Sequence, residues 1–346
     1  MNDSKDHCHS LRIFAMMKIT AGELFSAVGL QQGGTGHVDK PMTYRTSSDS
    51  VSLKPEQVGV GIWKEFIQLT KPGIIRSNLL AAFTGFWVAA RWDIPWMMML
   101  WMLLGTTLVM ASSCVFNNYF DRDFDMKMER TRNRALPTGR LQPQVVFIYA
   151  VILGVAGLTV LFSLVNVLAG VLGIVGMFVY VVIYTLWLKR TSTWSTSVGG
   201  ISGAMPPVIG YVAITGKIDV IAVLLFALMF LWQPPHFWAL GIRRVEEYRA
   251  AGYPLLPVVK GIKRTKWQMI PYVLLLLPVP WLFYYYGYAG IIYAVAGTFI
   301  NAFWLYVCIA GFRTNNDEQW AKKNFILSIN VLMLQFFILI ADTMGK

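Results

Sequence analysis

Charge is what this sequence has least of. Asp, Glu, Lys and Arg make up 14% of its 346 residues, whereas soluble domains carry about 25%. Cysteine is nearly absent too. The three residues, Cys8, Cys114 and Cys308, exclude a disulfide framework, and the latter two sit in apolar runs, where cysteine acts as a small hydrophobe. Heptads, polar repeats and a collagen period are missing, which excludes coiled coil, disorder and fibre. A cleavable signal peptide is not expected, because residues 12–30 are only mildly apolar, carry Lys18 and Glu23, and offer no clean cleavage site. The abundance lies elsewhere. Hydrophobic residues reach 56%, with 13 Trp, 15 Tyr and 21 Phe, and mean hydropathy is +0.52. A globule in water could not bury so much apolar surface, so the composition reads as a polytopic membrane protein.

The charge that is present is lopsided, at +12 net. Its bases crowd into short segments between apolar runs, the pattern of cytoplasmic loops beside anionic lipid and not of nucleic-acid binding. Residues 1–62 read as a flexible cytoplasmic tail with a short surface helix near Leu11–Leu24, ahead of a transmembrane domain over 63–346. The His7-Cys8-His9 triplet in that tail is read as incidental.

A bilayer core needs about 20 mostly apolar residues per helix. Nine runs qualify: 73–90, 96–119, 143–164, 167–187, 197–214, 218–240, 269–286, 288–311 and 324–341. The expected fold is therefore all-α, a bundle of nine transmembrane helices around a central cavity. The fifth run carries Gly199, Gly200, Gly203, Pro206, Pro207 and Gly210. Such a segment either lines a ligand chamber or packs closely against a neighbour. Bases fill the even-numbered connections, and the odd-numbered ones hold little beyond Arg91 and Lys217. That alternation predicts an N-terminus inside and a C-terminus outside. It also predicts that the two richest loops, after runs two and six, share the cytoplasmic face.

Chemistry concentrates at the inner end of the second run. Asn117, Asp121 and Asp125 are spaced i, i+4, i+8, so on a helix they share one face and rise about 6 Å per step. Oxygen donors in a row suit a hard dication; Mg²⁺ takes about one or two carboxylates, with phosphate oxygens and waters for the rest. A solvated helix end whose acids pair with nearby arginines is the alternative. Lys127, Arg130, Arg132 and Arg134 follow directly, and guanidinium forks bind phosphate bidentately. Acids for a metal followed by bases for its anion make a diphosphate site. Asp123 lies off the ladder face and is expected to pair with a base.

The Asn117-x-x-x-Asp121-x-x-x-Asp125 pattern resembles the first aspartate motif of the UbiA superfamily of intramembrane prenyltransferases. Lys127-Met-Glu-Arg130-Thr131-x-Asn-Arg134 is similar to its haem O synthase (protohaem IX farnesyltransferase) branch. So are Lys71-Pro-Gly-Ile-Ile-x-Ser-Asn78, Tyr184-Thr-x-x-Leu-Lys189-Arg190 and Gly199-Gly-x-x-Gly-x-x-Pro206-Pro207-x-Ile-Gly210. The longest similarity joins Trp232-Gln-Pro-Pro-His236 to Gly252-x-Pro254-x-Leu-Pro257. The resemblance runs from about residue 64 to 340. Two departures stand out. The superfamily's second paired-aspartate motif is replaced by Arg243-Arg244-Val245-Glu246-Glu247-Tyr248, and Ala135 stands where the branch has proline after Arg134.

What the resemblance implies is a farnesyl transfer to the vinyl group of haem B, giving the hydroxyethylfarnesyl group of haem O. Mg²⁺ would sit on Asn117, Asp121 and Asp125, and Lys127, Arg130, Arg134, Lys189 and Arg190 would neutralise the departing diphosphate. Glu246 or Glu247 would assist a second Mg²⁺, with Arg243 or Arg244 on phosphate and Tyr248 beside them. Asn78 and Arg76 could reach the same chamber, with snorkelling to the headgroups the alternative for Arg76. Tyr184 either faces the carbocation with its ring or simply packs. His236 could ligate haem iron, orient a propionate, shuttle a proton or act as a structural histidine behind a kink. Trp187, Trp232, Phe237 and Trp238 are candidate chain-lining aromatics, with an ordinary interface anchor the alternative for the tryptophans. Partners implied are farnesyl diphosphate, haem B and the lipid bilayer of a bacterial cytoplasmic membrane, with haem A synthase next in sequence. Competing readings are prenylation of a quinone or phenolic precursor, a transporter and an assembly scaffold.

Overall fold

The computed structural model describes residues 55–345. The described chain is almost wholly helical. An opening helix, α1 (Pro55–Leu69), is followed by nine helices long and apolar enough to cross a membrane: α2 (Pro72–Ala90), α3 (Trp96–Asp125), α4 (Pro143–Val165), α5 (Val167–Thr191), α6 (Ser195–Thr215), α7 (Val220–Arg243), α8 (Gly261–Tyr285), α9 (Ile291–Arg313) and α10 (Asp317–Ala341). The protein is a multi-pass membrane protein. Helix α1 straddles the boundary expected at residue 62. The rest of the expected tail, with its surface helix and its His-Cys-His triplet, lies outside the described residues.

The ends of these helices differ from the hydropathy estimate in instructive ways. Helix α3 runs six residues past the anticipated end at 119, carrying the whole acid ladder on helical backbone. Helix α8 starts at Gly261, eight residues before the anticipated 269. Its basic first turns are held because the buried Lys266 donates to the Gly311 carbonyl at 2.6 Å and to Asp317 at 2.5 Å. Apolar residues such as Ile148, Ile152, Val155, Phe299 and Phe303 stand exposed along α4 and α9, as lipid-facing positions should.

The glycines of the fifth run serve close packing. A Cβ on Gly85 of α2 would meet the Pro207 carbonyl oxygen at 1.9 Å, and one on Gly210 of α6 would meet that of Ala82 at the same distance. Small residues thus let α2 and α6 touch backbone to backbone. Helix α6 is itself broken at Ala204, between Ser195–Gly203 and Met205–Thr215. Helix α10 packs on α7, α9 and α2, so the last span closes on the first.

One end of the bundle is pinned by polar contacts between distant segments. The Arg91 guanidinium lies 3.9 Å from the Tyr288 ring, Trp92 Nε1 donates to the Thr343 carbonyl at 2.8 Å, and the Tyr211 and Tyr288 hydroxyls lie 3.2 Å apart. At the other end, the connections after α3 and α7 meet in a small apolar cluster of Met128, Ala251 and Tyr253, packed by Phe124, Tyr248 and Leu255. The two most basic loops therefore do lie together.

Candidate functional site

Helix α3 delivers Asn117, Asp121 and Asp125 to one buried face, with 3%, 1% and 5% exposure. Asp123 points away, 70% exposed, and pairs with Arg122 at 3.8 Å. The loop that follows is turned back by its own chemistry. Thr131 donates its hydroxyl to the Asp125 carbonyl at 2.9 Å and Met128 is buried. Arg134 then returns to Asp125, donating to Oδ2 at 2.7 Å. Ala135 is buried in an apolar cluster with Leu69 and Val115, so the position that departs from the branch is a packing position.

Every ligand-type side chain of the ladder has a cation. Lys189 Nζ donates to Asp121 Oδ2 at 2.5 Å, and Arg190 stands 3.6 Å from Oδ1 while donating to the Phe120 carbonyl at 2.7 Å. Lys71 Nζ donates to Asn117 Oδ1 at 2.5 Å. The Asn117 amide nitrogen donates to Asp121 Oδ2 at 2.8 Å and to the Thr185 hydroxyl at 3.0 Å. Burial of its ammonium, with Arg134 and Lys189 as further cations nearby, brings Lys71 down to about 8. Tyr253 roofs the cluster from the loop after α7. Its ring stacks on Phe124 at 5.0 Å and carries Lys189 Nζ 4.7 Å above it, and burial pushes its phenol up.

Helix α5 explains how Thr185, Lys189 and Arg190 reach one site. Its stretch Val179–Leu188 is wound as a π-helix, a rare geometry that recurs at functional sites. Thr185 and Lys189, four apart, lie on the face toward α3, where they meet Asn117 and Asp121.

The remaining expected residues fall into three groups. Lys127 and Arg130 are exposed; Lys127 lies 5.4 Å from the Phe124 ring, because the chain leaves the ladder face as α3 ends. The short helix Val245–Ala250 divides its acids. Glu246 is 76% exposed and paired with Arg249, whereas Glu247 accepts from Arg244 at 2.7 Å and keeps a buried second oxygen with no hydrogen-bond partner. Arg243 is half-buried in the last turn of α7, and Tyr248 stands 6.3 Å from Tyr253. Asn78 donates to the Ile74 carbonyl of its own helix at 2.9 Å, and Arg76 is exposed. Tyr184 packs so closely on Gly199 that a Cβ there would meet its ring at 2.7 Å.

His236 is sandwiched between Trp232 (4.4 Å) and Phe325 (4.5 Å), with Nδ1 2.7 Å from Ser328 Oγ. The Ser328 hydroxyl donates to the Phe325 carbonyl at 2.7 Å. Its proton is therefore spent, so Nδ1 carries the hydrogen and Nε2 the lone pair. Of the four aromatics, Trp187 and Phe237 are exposed, at 48% and 45%, while Trp232 and Trp238 are buried. Lys71, Thr185 and Tyr253 were absent from the expected site. Lys71 had a signal in its Lys-Pro-Gly motif; Thr185 and Tyr253 had none beyond falling inside similar segments.

The donor set is short. No group of three His, Cys, Asp or Glu residues able to hold a metal occurs among the described residues. Two carboxylates and an amide nevertheless suit Mg²⁺ arriving with phosphate oxygens. Asp121 Oδ1, 3.6 Å from Arg190, is buried without a hydrogen-bond partner and so keeps its lone pairs for a metal. A helical bundle with such a cluster at one end defines a class, the intramembrane transferases whose apolar substrate carries a polyanionic head.

The chain belongs to the UbiA prenyltransferase family, whose profile matches residues 78–330. Protoheme IX farnesyltransferase 1 of Bacillus subtilis is 49% identical over 289 residues, covering 81% of this chain and 90% of that protein. A digeranylgeranylglyceryl phosphate synthase structure shares the fold at a TM-score of 0.69 and 18% identity, over 81% of this chain and 98% of its own. A UbiA homologue from Archaeoglobus fulgidus bound to GPP and Mg²⁺ matches with a TM-score of 0.60 at 16% identity, over 80% of this chain and 99% of its own.

Proposed function

We propose that this prenyltransferase is a haem O synthase, moving the farnesyl group of farnesyl diphosphate onto a vinyl group of haem B. The observation that carries the reading is the ladder of Asn117, Asp121 and Asp125 enclosed by Lys189, Arg190 and Arg134. Near 50% identity to a protoheme IX farnesyltransferase supports the acceptor. The catalytic unit is residues 63–346, in a bacterial cytoplasmic membrane, with the N-terminus and the ladder on the cytoplasmic side and the C-terminus outside.

Asn117, Asp121 and Asp125 would hold Mg²⁺, with Glu247 the better placed acid for a second ion. When bound, the metal neutralises charge on the diphosphate and on the developing leaving group. The protein's own cations do the rest. Lys189, Arg190 and Arg134 hold diphosphate oxygens and stabilise the charge that grows there as the farnesyl C1–O bond breaks and its electron pair departs. The enclosing helices keep water from the allylic cation, and the Tyr184 ring offers it a π face. The vinyl π electrons of haem B form the new carbon–carbon bond. Water adds to the cation left beside the macrocycle and gives up a proton, producing the hydroxyethylfarnesyl group. His236, with its Nε2 lone pair, serves haem positioning. Haem A synthase would take the product next.

The test is purified full-length protein with haem B, farnesyl diphosphate and Mg²⁺, read by mass spectrometry. Haem O is the expected product. A farnesylated quinone or phenol from mixed acceptors, with haem B unchanged, would overturn the acceptor assignment.

A further inference from the structure

The residue joining α1 to α2 has a backbone that its side chain does not explain locally. Lys71 adopts φ 55° and ψ 63°, the left-handed region, immediately before a proline. Five of the positive-φ positions among the described residues are glycine, and the exceptions are Lys71, Arg91 and Trp92. Arg91 and Trp92 are spent on distant partners, the Tyr288 ring at 3.9 Å and the Thr343 carbonyl at 2.8 Å. Glycine would make the Lys71 turn with less strain, so here too the side chain is what is kept. Its amine reaches 46 residues along the chain to Asn117 Oδ1.

That oxygen is the one the ladder needs. The Asn117 nitrogen is committed to Asp121 and Thr185, which leaves Oδ1 as its acceptor. An ammonium at 2.5 Å and a dication cannot share it without two positive charges in contact. The cluster also holds too many cations. Among the described residues, Lys71, Lys189, Arg190 and Arg134 face Asp121 and Asp125, and the nearby Glu65 is already paired with Arg140 at 2.8 Å; the excess of positive charge suits an anion. A cavity of about 150 Å³ beside Lys71, walled by Glu65, Gln68, Asn118 and Arg134, leaves room for the amine to swing.

We infer that Lys71 is a diphosphate-binding residue: its amine, which meets Asn117 Oδ1 at 2.5 Å, transfers to a phosphate oxygen when substrate and metal bind. The inference rests on the diphosphate chemistry proposed above. It makes the junction before the first span part of the site, and it makes metal alone a weak ligand, since Mg²⁺ without a phosphate must take Asn117 Oδ1 from Lys71 and enter beside four cations with no added anion to offset them.

Calorimetric titration of the purified full-length protein with inorganic pyrophosphate at saturating Mg²⁺, paired with Mn²⁺ binding alone by electron paramagnetic resonance, tests this. Lys71→Met should weaken pyrophosphate binding by about 30-fold or more and tighten binding of Mn²⁺ alone. Lys71→Arg should restore pyrophosphate binding, and Lys71→Gly should melt no lower than wild type yet bind pyrophosphate as poorly as Lys71→Met. Pyrophosphate affinity unchanged in Lys71→Met, or Mn²⁺ binding weakened in parallel, overturns the assignment and leaves Lys71 as a structural prop of Asn117. A wild-type protein that binds no pyrophosphate overturns the underlying diphosphate reading, and this inference with it.

Discussion

Two buried lysines at helix ends show how the same chemistry serves different purposes. Lys266 is 5% exposed and fully matched: Asp317 takes its charge, the Gly311 carbonyl a second proton, and the Trp320 ring lies 4.7 Å away. It ties α8, α9 and α10 together and leaves nothing over. Lys71 sits in a cluster where cations outnumber carboxylates and a carboxylate oxygen still lacks a hydrogen-bond partner. A balanced pair is a fastener; an unbalanced cluster suits an anionic ligand. Burial alone does not separate them, but the count of charges does.

That contrast breaks most sharply at Asp121. Asp121→Ala should lower haem O formation by about a thousandfold or more, and chelation of Mg²⁺ should abolish wild-type turnover, while the variant stays folded by size exclusion. Turnover near wild type in either experiment would reduce the cluster to a structural network. The opposite behaviour is expected of Lys266→Met: stability falls by about 1–3 kcal/mol, because Asp317 and a carbonyl lose their partner, yet turnover per folded molecule changes little. Thermal melting and a specific-activity assay read the two effects separately, and a selective loss of activity would contradict the contrast.

Finer distinctions follow from the acids and bases beyond the ladder. Glu247→Gln should raise the Mg²⁺ concentration for half-maximal activity by about tenfold, whereas Glu246→Gln, on an exposed residue, should leave it alone. Equal effects would mean that neither acid is singled out. The smallest change belongs to Lys127→Ala and Arg130→Ala. Exposed charges are screened by solvent and salt, so kcat/KM should stay within about threefold at physiological ionic strength. A large loss would return both residues to the diphosphate.

The bundle was readable because a span needs a continuous apolar run, and nine such runs leave little room for another fold. Boundaries were less readable. Hydropathy ended the second run at 119 because Asp121, Arg122 and Asp123 are charged, yet the helix continues to Asp125 since Asp121 is paired by Lys189 and Asp125 by Arg134 while Asp123 faces out. The ladder's common face was legible from the 3.6-residue period alone. Which bases would meet it was not. Arg134, nine residues on, returns to Asp125, while its equally basic neighbours Lys127 and Arg130 turn outward. The difference lies in a buried Met128 and a Thr131 cap that fold the loop.

By itself the sequence determined a membrane protein of nine spans, two basic loops sharing an end, and an Asn-Asp-Asp row on one helix face. Those follow from composition and local periodicity, which any segment carries without its neighbours. Tertiary structure alone decided that Lys71, 46 residues before Asp121's neighbourhood at Asn117, and Lys189, 68 residues after Asp121, converge on that row. It also decided that Glu247 keeps a free buried oxygen while Glu246 faces out. The reason is physical: convergence depends on how α2 and α5 pack against α3, and such packing has no period that one segment can display.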